Sequence, residues 1–337
     1  MLINKVMRDI INSIYKSVAR YYFVFLVIIS FAVTILPWWP FYQWLLVPKY
    51  VLLFGPRWWL LLLCLLNFIF WRQLGKKSRF ISPLLVITAL NYLDFQLPSL
   101  TQYFQLRNVD NHSIKIINAN VGGGSKYELQ LLIKDEIPDI LLLQEAKNLN
   151  FVEWLPPEYM ASCDGGLCIV SKLDFEIVGK LSRQLVGGWG NFAMLYKIKT
   201  AQGEFSLANI HMETPRDILM NLTYLTWGQS SAAKIESDRE YEALLITSWQ
   251  KEHKKFIIAG DFNMFEDENI YRKHFSPMMN ALGVATTGLN YTKKTSFYGA
   301  RIDHLLFSKG FALKDARVID SIMGDHKPVV SILYQVN

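Results

Sequence analysis

The sequence predicts an α/β domain with sheets covered by helices, preceded by an all-α membrane anchor of three transmembrane helices. Three observations predict it. The first third of the chain holds three apolar stretches in succession, each near the length that crosses a bilayer. From about Asn108 the pattern changes to short β-rich runs mixed with helical periodicity. The charge divides at the same place: residues 1–106 carry 10 basic and 2 acidic side chains, and residues 107–337 carry 25 basic and 27 acidic ones.

That division decides how the net charge of +6 is understood. The basic excess lies entirely in 1–106, taken as the anchor. The part from 107 to 337, taken as a catalytic domain, is slightly acidic. An enzyme of long nucleic acids carries a basic surface of its own, so this balance argues against such a substrate. With 51 % apolar and 19 % charged residues, the chain has ample material for a core, which excludes disorder.

The three expected spans are about 21–39, 51–71 and 80–97. The first has no charge, the second has Arg57 near its start, and the third has Asp94 near its end. Trp38, Trp39, Trp58, Trp59 and Trp71 fall near the ends, where interfacial aromatics sit. Lys5, Arg8, Lys16 and Arg20 precede the first span, and Arg72, Lys76, Lys77 and Arg79 separate the second from the third. The positive-inside rule then puts the N-terminus in the cytoplasm and everything after Leu97 outside it. Asp94 reads as a solvated residue at the outer interface. More spans follow the first, which argues against a cleaved signal peptide.

Beyond the anchor, "SIKIINANV" alternates as a strand. "GGGSKYELQLLIKDEIP" reads as a glycine loop and a helix with Leu129, Leu132 and Ile133 inward. "DILLLQE" is a continuous apolar run, the mark of a strand buried on both faces. "LCIVSK", "FAMLYKI", "FSLANIH", "FIIAGDFN", "RIDHLLFS" and "PVVSILY" are further strands, and Ser230 to Lys251 is a helix. Cys163 and Cys168 flank Gly165–Gly166 in "CDGGLC". Two readings stand for them: a disulfide, which the compartment outside the cytoplasm permits, or two free thiols in a hairpin.

Strand after strand ends in a polar group of a restricted kind. Asn120, Glu145, His211, Asp261 with Asn263, Asp303 with His304, and Asp325 with His326 all stand at the mouths of apolar runs. Singly, each is an ordinary turn former or solvated end. Together they are acids, amides and imidazoles gathered where α/β sheets build their sites. The chemistry that suits them is metal-assisted phosphoester hydrolysis. Asn120, Glu145 and Asp325 offer hard oxygen ligands for Mg2+ or Mn2+. Asp261 and Asn263, two residues apart in extended chain, face one side and suit the handling of water and phosphate. Imidazoles donate to phosphate oxygens or protonate a leaving group, and a carboxylate such as Asp303 fixes the tautomer of one of them.

The ordered set "INAN…LLLQE…NIH…GDFN…RIDH…GDHKPV" resembles the endonuclease/exonuclease/phosphatase superfamily of DNase I-like enzymes, over roughly residues 112–335. The resemblance implies a four-layer α/β sandwich, two mixed β-sheets packed face to face and flanked by helices. It implies Glu145 as principal Mg2+ ligand with Asn120 nearby, and Asp261 orienting water. It implies Asn263, His211 and His326 on the phosphate, Asp303 orienting His326, and Asp325 supporting the metal or His326. Two departures are visible: Gly324 stands where the last motif usually has Ser, and His304 stands where Tyr is usual. His304 reads as structural.

The anchor ahead of such a domain resembles the membrane-bound VanJ-like subgroup, thought to act on lipid-linked pyrophosphates. On that reading the partners are the lipid bilayer and a lipid-linked phosphorylated substrate. No obligate protein partner is evident, and the location is a bacterial inner membrane with the catalytic domain outside. A membrane-tethered nuclease acting on DNA or RNA is the alternative. The segment "METPRDILMNLTYLTWGQSS" carries Arg216 as a candidate phosphate clamp. Its apolar residues, Leu225 and Trp227 among them, either reach the membrane or pack on the sheet.

Overall fold

The computed structural model describes residues 2–39, 42–98, 113–122, 124, 126–147, 149–223, 229–295, 297–320 and 324–336. The expected boundary between anchor and catalytic domain, at 106 and 107, lies outside the described residues, as do Tyr224, Leu225 and Trp227.

Among the described residues the second part of the chain forms two six-stranded sheets. The first contains β1 (Ser113–Asn120), β2 (Ile140–Gln144), β3 (Met160–Asp164), β4 (Leu167–Ser171), β13 (Phe311–Val318) and β14 (Val329–Gln335), in the order β13-β14-β1-β2-β4-β3. The second contains β5 (Phe175–Ser182), β6 (Asn191–Thr200), β7 (Gly203–His211), β8 (Phe256–Asp261), β9 (Met279–Asn280) and β12 (Asp303–Phe307), in the order β5-β6-β7-β8-β12-β9. A small hairpin, β10 (Lys293–Lys294) with β11 (Gly299–Ala300), stands apart from both. Each large sheet is mixed: β1 runs parallel to β2 and antiparallel to β14, and β7 runs parallel to β8 while β12 is antiparallel to it.

Alternation explains the layering. In β1, Ile116 faces one way and Ile117 the other. Ile116, with Ile140, Leu142, Ile257, Leu305 and Leu333, fills the core between the sheets. Ile117, with Leu141 and Leu143, packs beneath the helix Lys126–Glu136, whose Leu129, Leu132 and Ile133 face inward. The outer face of the second sheet is covered by the helix Gln229–Lys251 through Ala243 and Ile246. Burying one such aliphatic side chain contributes about 2 kcal/mol, so the run Ile140–Leu143 commits β2 to the interior. The hairpin of β3 and β4 pairs Cys163 with Cys168 across the strands, and a disulfide joins them.

The first part of the chain is helical. Leu2–Thr34 is one helix of 33 residues, and among the described residues it holds the one straight stretch long and apolar enough to cross a membrane. The second expected span is broken: Trp44–Phe54 and Trp58–Phe70 meet at 76° around Gly55 and Pro56, and together make a second crossing only if the bent pair counts as one. The third is the helix Lys76–Tyr92, 17 residues long with Pro83 inside and charge at its start, and it does not meet the same measure.

These helices share a core with the rest of the protein. Leu46, Tyr50, Leu53 and Phe54 pack with Ile218, Ile235, Phe265 and Ile302. Buried ion pairs cross the same boundary. Lys49 Nζ reaches Glu236 at 2.8 Å, and Arg57 grips Asp267 with two nitrogens at 2.9 and 3.1 Å. Asp94 is not solvated as expected: it is buried against Arg301, at 2.8 and 3.0 Å. Asp94, Lys49 and Arg57 thus join the helical first part of the chain to Arg301, Glu236 and Asp267 of the second.

Candidate active site

The site forms where β1, β2, β7, β8 and β12 end together. Close approach of β7 and β8 requires Gly260, with φ +152°: a side chain there would put Cβ 1.9 Å from the Ile210 carbonyl oxygen. The strand register then sets His211 opposite Asp261, and Asp261 opposite Asp303.

Asp261 lies at the centre. Its Oδ2 accepts from Asn120 Nδ2 at 3.0 Å, and its Oδ1 accepts the Asn263 backbone N–H at 2.8 Å. His211 Nε2 and His326 Nε2 flank the same Oδ2 at 3.8 and 3.7 Å. Burial would raise the Asp261 carboxyl, but the two imidazoles and these hydrogen bonds hold it below its ordinary value. It is a carboxylate at neutral pH.

Asn120 Nδ2 also donates to Glu145 Oε1 at 3.1 Å, so one amide nitrogen bridges the two acids. The Asn120 Oδ1 accepts from Gly122 N–H at 3.0 Å, which turns the amide oxygen away from them. Glu145 is half exposed, with His211 Nε2 at 3.6 Å. Glu145 and Asn263 hold left-handed φ values of 53° and 49°, two of five non-glycine residues that do so among those described. Such backbone costs energy and gathers at sites; here it swings both side chains out of line with their strands. Asn263 Nδ2 donates to the Met212 carbonyl at 2.9 Å.

His326 completes the set. Its Nδ1 lies 2.9 and 3.1 Å from the two oxygens of Asp303, and Nε2 faces the open side. Burial pulls its imidazolium down, and Asp303 and Asp261 overcome this and lift it to about 9. Lys293 Nζ, however, lies 2.7 Å from Nε2. An ammonium and an imidazolium would meet there donor to donor, so this contact belongs to the neutral ring, with Nδ1–H on Asp303 and Nε2 accepting from Lys293. The lift by the carboxylates already works against the Lys293 ammonium, and drawing that ammonium elsewhere leaves Nε2 open to take a proton.

A divalent cation fits this donor set. The oxygens of Glu145 and Asp261 are hard ligands converging on one side of Asn120, and Glu145 is open to solvent. Asp261, Asp303 and His326 also place one ligand atom each within 4.8 Å of one another. Within that trio, Asp303 and His326 are engaged with each other, which favours the Glu145 side.

Two expected residues stand elsewhere. Asp325 is exposed and pairs with Lys293 at 2.9 Å, with Oδ1 3.9 Å from His326 Nε2; no described contact takes it to Glu145. Arg216 begins the helix Arg216–Thr223 with its side chain exposed, and no described hydrogen bond or ion pair joins its guanidinium to the site. His304 is buried and structural: Nε2 donates to the Met264 carbonyl and Nδ1 accepts from Asn280, at 2.8 and 2.9 Å. Burial, then Arg301, pulls its imidazolium down to about 4.

Supporting residues emerge that sequence patterns did not flag. Thr292 Oγ1 accepts the backbone N–H groups of Ile302 and Asp303, both at 3.0 Å. Arg183 donates to the His211 carbonyl at 2.6 Å and to Glu242 at 2.8 Å. Buried Arg239 donates to the Asn263 carbonyl at 2.5 Å, to Tyr50 at 2.6 Å and to Glu268 at 2.9 Å. None has a local signal, because each partner is distant in the chain.

Solved structures share this fold. The 3′ phosphatase NExo from Neisseria, bound to product DNA hairpin, is 19 % identical, with TM-score 0.50, covering 65 % of this chain and 98 % of that one. Truncated TDP2 from Caenorhabditis elegans is 16 % identical, with TM-score 0.51, covering 67 % and 100 %. An endonuclease/exonuclease/phosphatase from Bacteroides vulgatus is 18 % identical, with TM-score 0.50, covering 67 % and 100 %. No curated protein sequence matches the chain. The sequence profile of the Endonuclease/Exonuclease/phosphatase family matches residues 117–326, more than half of the chain and every strand end that builds the site, and the protein belongs to that family.

Proposed function

We propose that this chain is a membrane-anchored, divalent-metal-dependent phosphoesterase. Its substrate is a phosphate ester or pyrophosphate carried on a lipid, met at the outer face of a bacterial inner membrane, as in the VanJ-like subgroup. The observation that carries the chemistry is the convergence on Asp261: one ionised carboxylate within 4 Å of two imidazoles, joined through Asn120 to the open carboxylate of Glu145. Family membership supports a hydrolase of phosphate esters.

Glu145 and Asp261 would hold Mg2+ or Mn2+, with Asn120 beside them, and the bound ion would polarise a phosphoryl oxygen and offset developing charge. Asp261 orients a water and takes its proton as the water oxygen attacks phosphorus. His211 and the amide of Asn263 contact the phosphate. His326, held by Asp303, gives a proton to the departing oxygen as its bond to phosphorus breaks.

The lipid reading rests on three supports. A helix apolar enough to cross a membrane precedes the domain. The catalytic part is slightly acidic. The Cys163–Cys168 disulfide suits a compartment outside the cytoplasm. Tethering beside the bilayer raises the effective concentration of lipid head groups.

The test is phosphate release by full-length protein in detergent with Mg2+, offering a polyprenyl pyrophosphate and a DNA duplex side by side, with Glu145→Ala as control. Turnover of the lipid that needs Glu145 is the expected result. Cleavage of DNA alone would replace this reading with that of a tethered nuclease.

A further inference from the structure

We propose that Lys293 is a substrate-binding residue of this site, and that its ammonium makes the enzyme prefer a terminal, doubly charged phosphate over a phosphodiester. The inference rests on the phosphoesterase reading and narrows its substrate class.

The backbone holds Lys293 beside His326 from several directions. Lys293 bridges to His326 in antiparallel fashion, Lys294 N–H donates to the Asp325 carbonyl at 2.7 Å, and Lys327 N–H donates to the Thr292 carbonyl at 2.6 Å. Thr292 is itself bonded to the start of β12. The base of the β10–β11 hairpin is thus tied to both residues of the Asp303–His326 pair. From that base the side chain extends to place Nζ 2.7 Å from His326 Nε2 and 2.9 Å from Asp325 Oδ2. Asp303 occupies the other ring nitrogen, so the ammonium stands on the side of the imidazole that faces Asp261.

Charge gives this position its use. With a divalent cation held by Glu145 and Asp261, Asp303 and Asp325 remain as two acids beside His326, on the side an incoming anion must pass. Arg216, the cation expected from sequence, is exposed and outside the set. Lys293 brings positive charge to the atom that a phosphate oxygen must approach. Two contacts hold it at present: an ion pair with half-exposed Asp325, which in water contributes about 1 kcal/mol or less, and a hydrogen bond to an uncharged ring nitrogen of His326. A phosphate oxygen offers a stronger, charge-assisted bond to the same ammonium. Moving to the phosphate also frees His326 Nε2. Coulomb attraction to one ammonium doubles when the phosphate carries two charges, and a terminal phosphate does where a diester carries one.

The experiment compares full-length wild type, Lys293→Met and Lys293→Arg in detergent with Mg2+. Substrates are p-nitrophenyl phosphate and bis-p-nitrophenyl phosphate, and calorimetric titration with inorganic phosphate is run alongside. Melting temperatures confirm that the variants fold. The expected result in Lys293→Met is a loss of about tenfold or more in kcat/KM on the monoester but under about threefold on the diester, with phosphate affinity about tenfold weaker. Lys293→Arg recovers part of each loss. Equal losses on both esters, or unchanged phosphate affinity, would overturn the inference. Should wild type hydrolyse neither ester, the polyprenyl pyrophosphate assay judges the phosphoesterase reading, and the phosphate titration still decides for or against Lys293.

Discussion

Asp303 receives His326 Nδ1 on both carboxylate oxygens, at 2.9 and 3.1 Å, while its own backbone N–H is held by Thr292. The carboxylate is thereby fixed before the imidazole meets it, and the tautomer with Nε2 facing the site follows. Asp303→Asn keeps the shape but can offer its amide N–H to Nδ1, which reverses the tautomer. Its kcat should fall by about 10²- to 10⁴-fold, the usual size of a general acid–base contribution, with the melting temperature nearly unchanged. Steady-state kinetics beside a thermal melt checks this; a variant of full activity would remove His326 from proton transfer.

Gly260 makes a sharper structural prediction. An added Cβ at 1.9 Å from Ile210 oxygen meets backbone, which has no rotamer to yield, and φ of +152° strains any other residue. Gly260→Ala should cost about 3 kcal/mol or more and separate His211 from Asp261. Denaturant unfolding would show it as a shifted midpoint.

Glu242 ties stability to pH. It lies beneath His211, accepting from Arg183 and from the Glu213 N–H at 2.8 and 2.6 Å. Burial, opposed by Arg183, pushes its carboxyl up from 4.5 to about 7. A raised folded value means stabilisation that is complete below pH 4.5 and is lost as pH rises towards 7. The loss amounts to about 3 kcal/mol. Melting curves across this range should show a decline that Glu242→Gln flattens. An equal slope in both proteins would dismiss Glu242 as its source.

The helical region should prove inseparable from the catalytic part. Lys49→Met leaves Glu236 buried without its ammonium, at a cost of about 3–5 kcal/mol. Adding Glu236→Leu removes the stranded charge, so the double variant should melt above Lys49→Met. A double variant that melts lower would mean the pair is held for another reason.

Central strands were the legible part of this fold. β1, β2, β4, β6, β7, β8, β12 and β14 carry apolar runs because both faces are covered. β3, β5, β9 and β13 are the edges of their sheets, and none is plain in the sequence. β5 is exposed or half-exposed throughout, and β13 ("FALKDARV") buries Phe311, Leu313 and Ala316 but loses its alternation at the irregularity between Leu313 and Asp315. The site divides along similar lines. Asn120, Glu145, His211, Asp261, Asp303 and His326 could be picked out because a strand end advertises a polar residue after an apolar run. Lys293 and Arg239 could not: a lysine in "TKK" and an arginine inside a helix look like solvated surface, and only tertiary approach gives them partners. The helix break at Gly55–Pro56 was in view, but a hydropathy window passes over a bend.

The Arg239 bond to the Asn263 carbonyl, shared with Tyr50, has a genetic consequence. A search for inactivating alleles will recover two clusters far apart in the gene. One holds the acids and imidazoles of the site. The other lies near codons 49 to 57, where a lesion would pass for a fault in anchoring although it loosens the loop that carries Asn263.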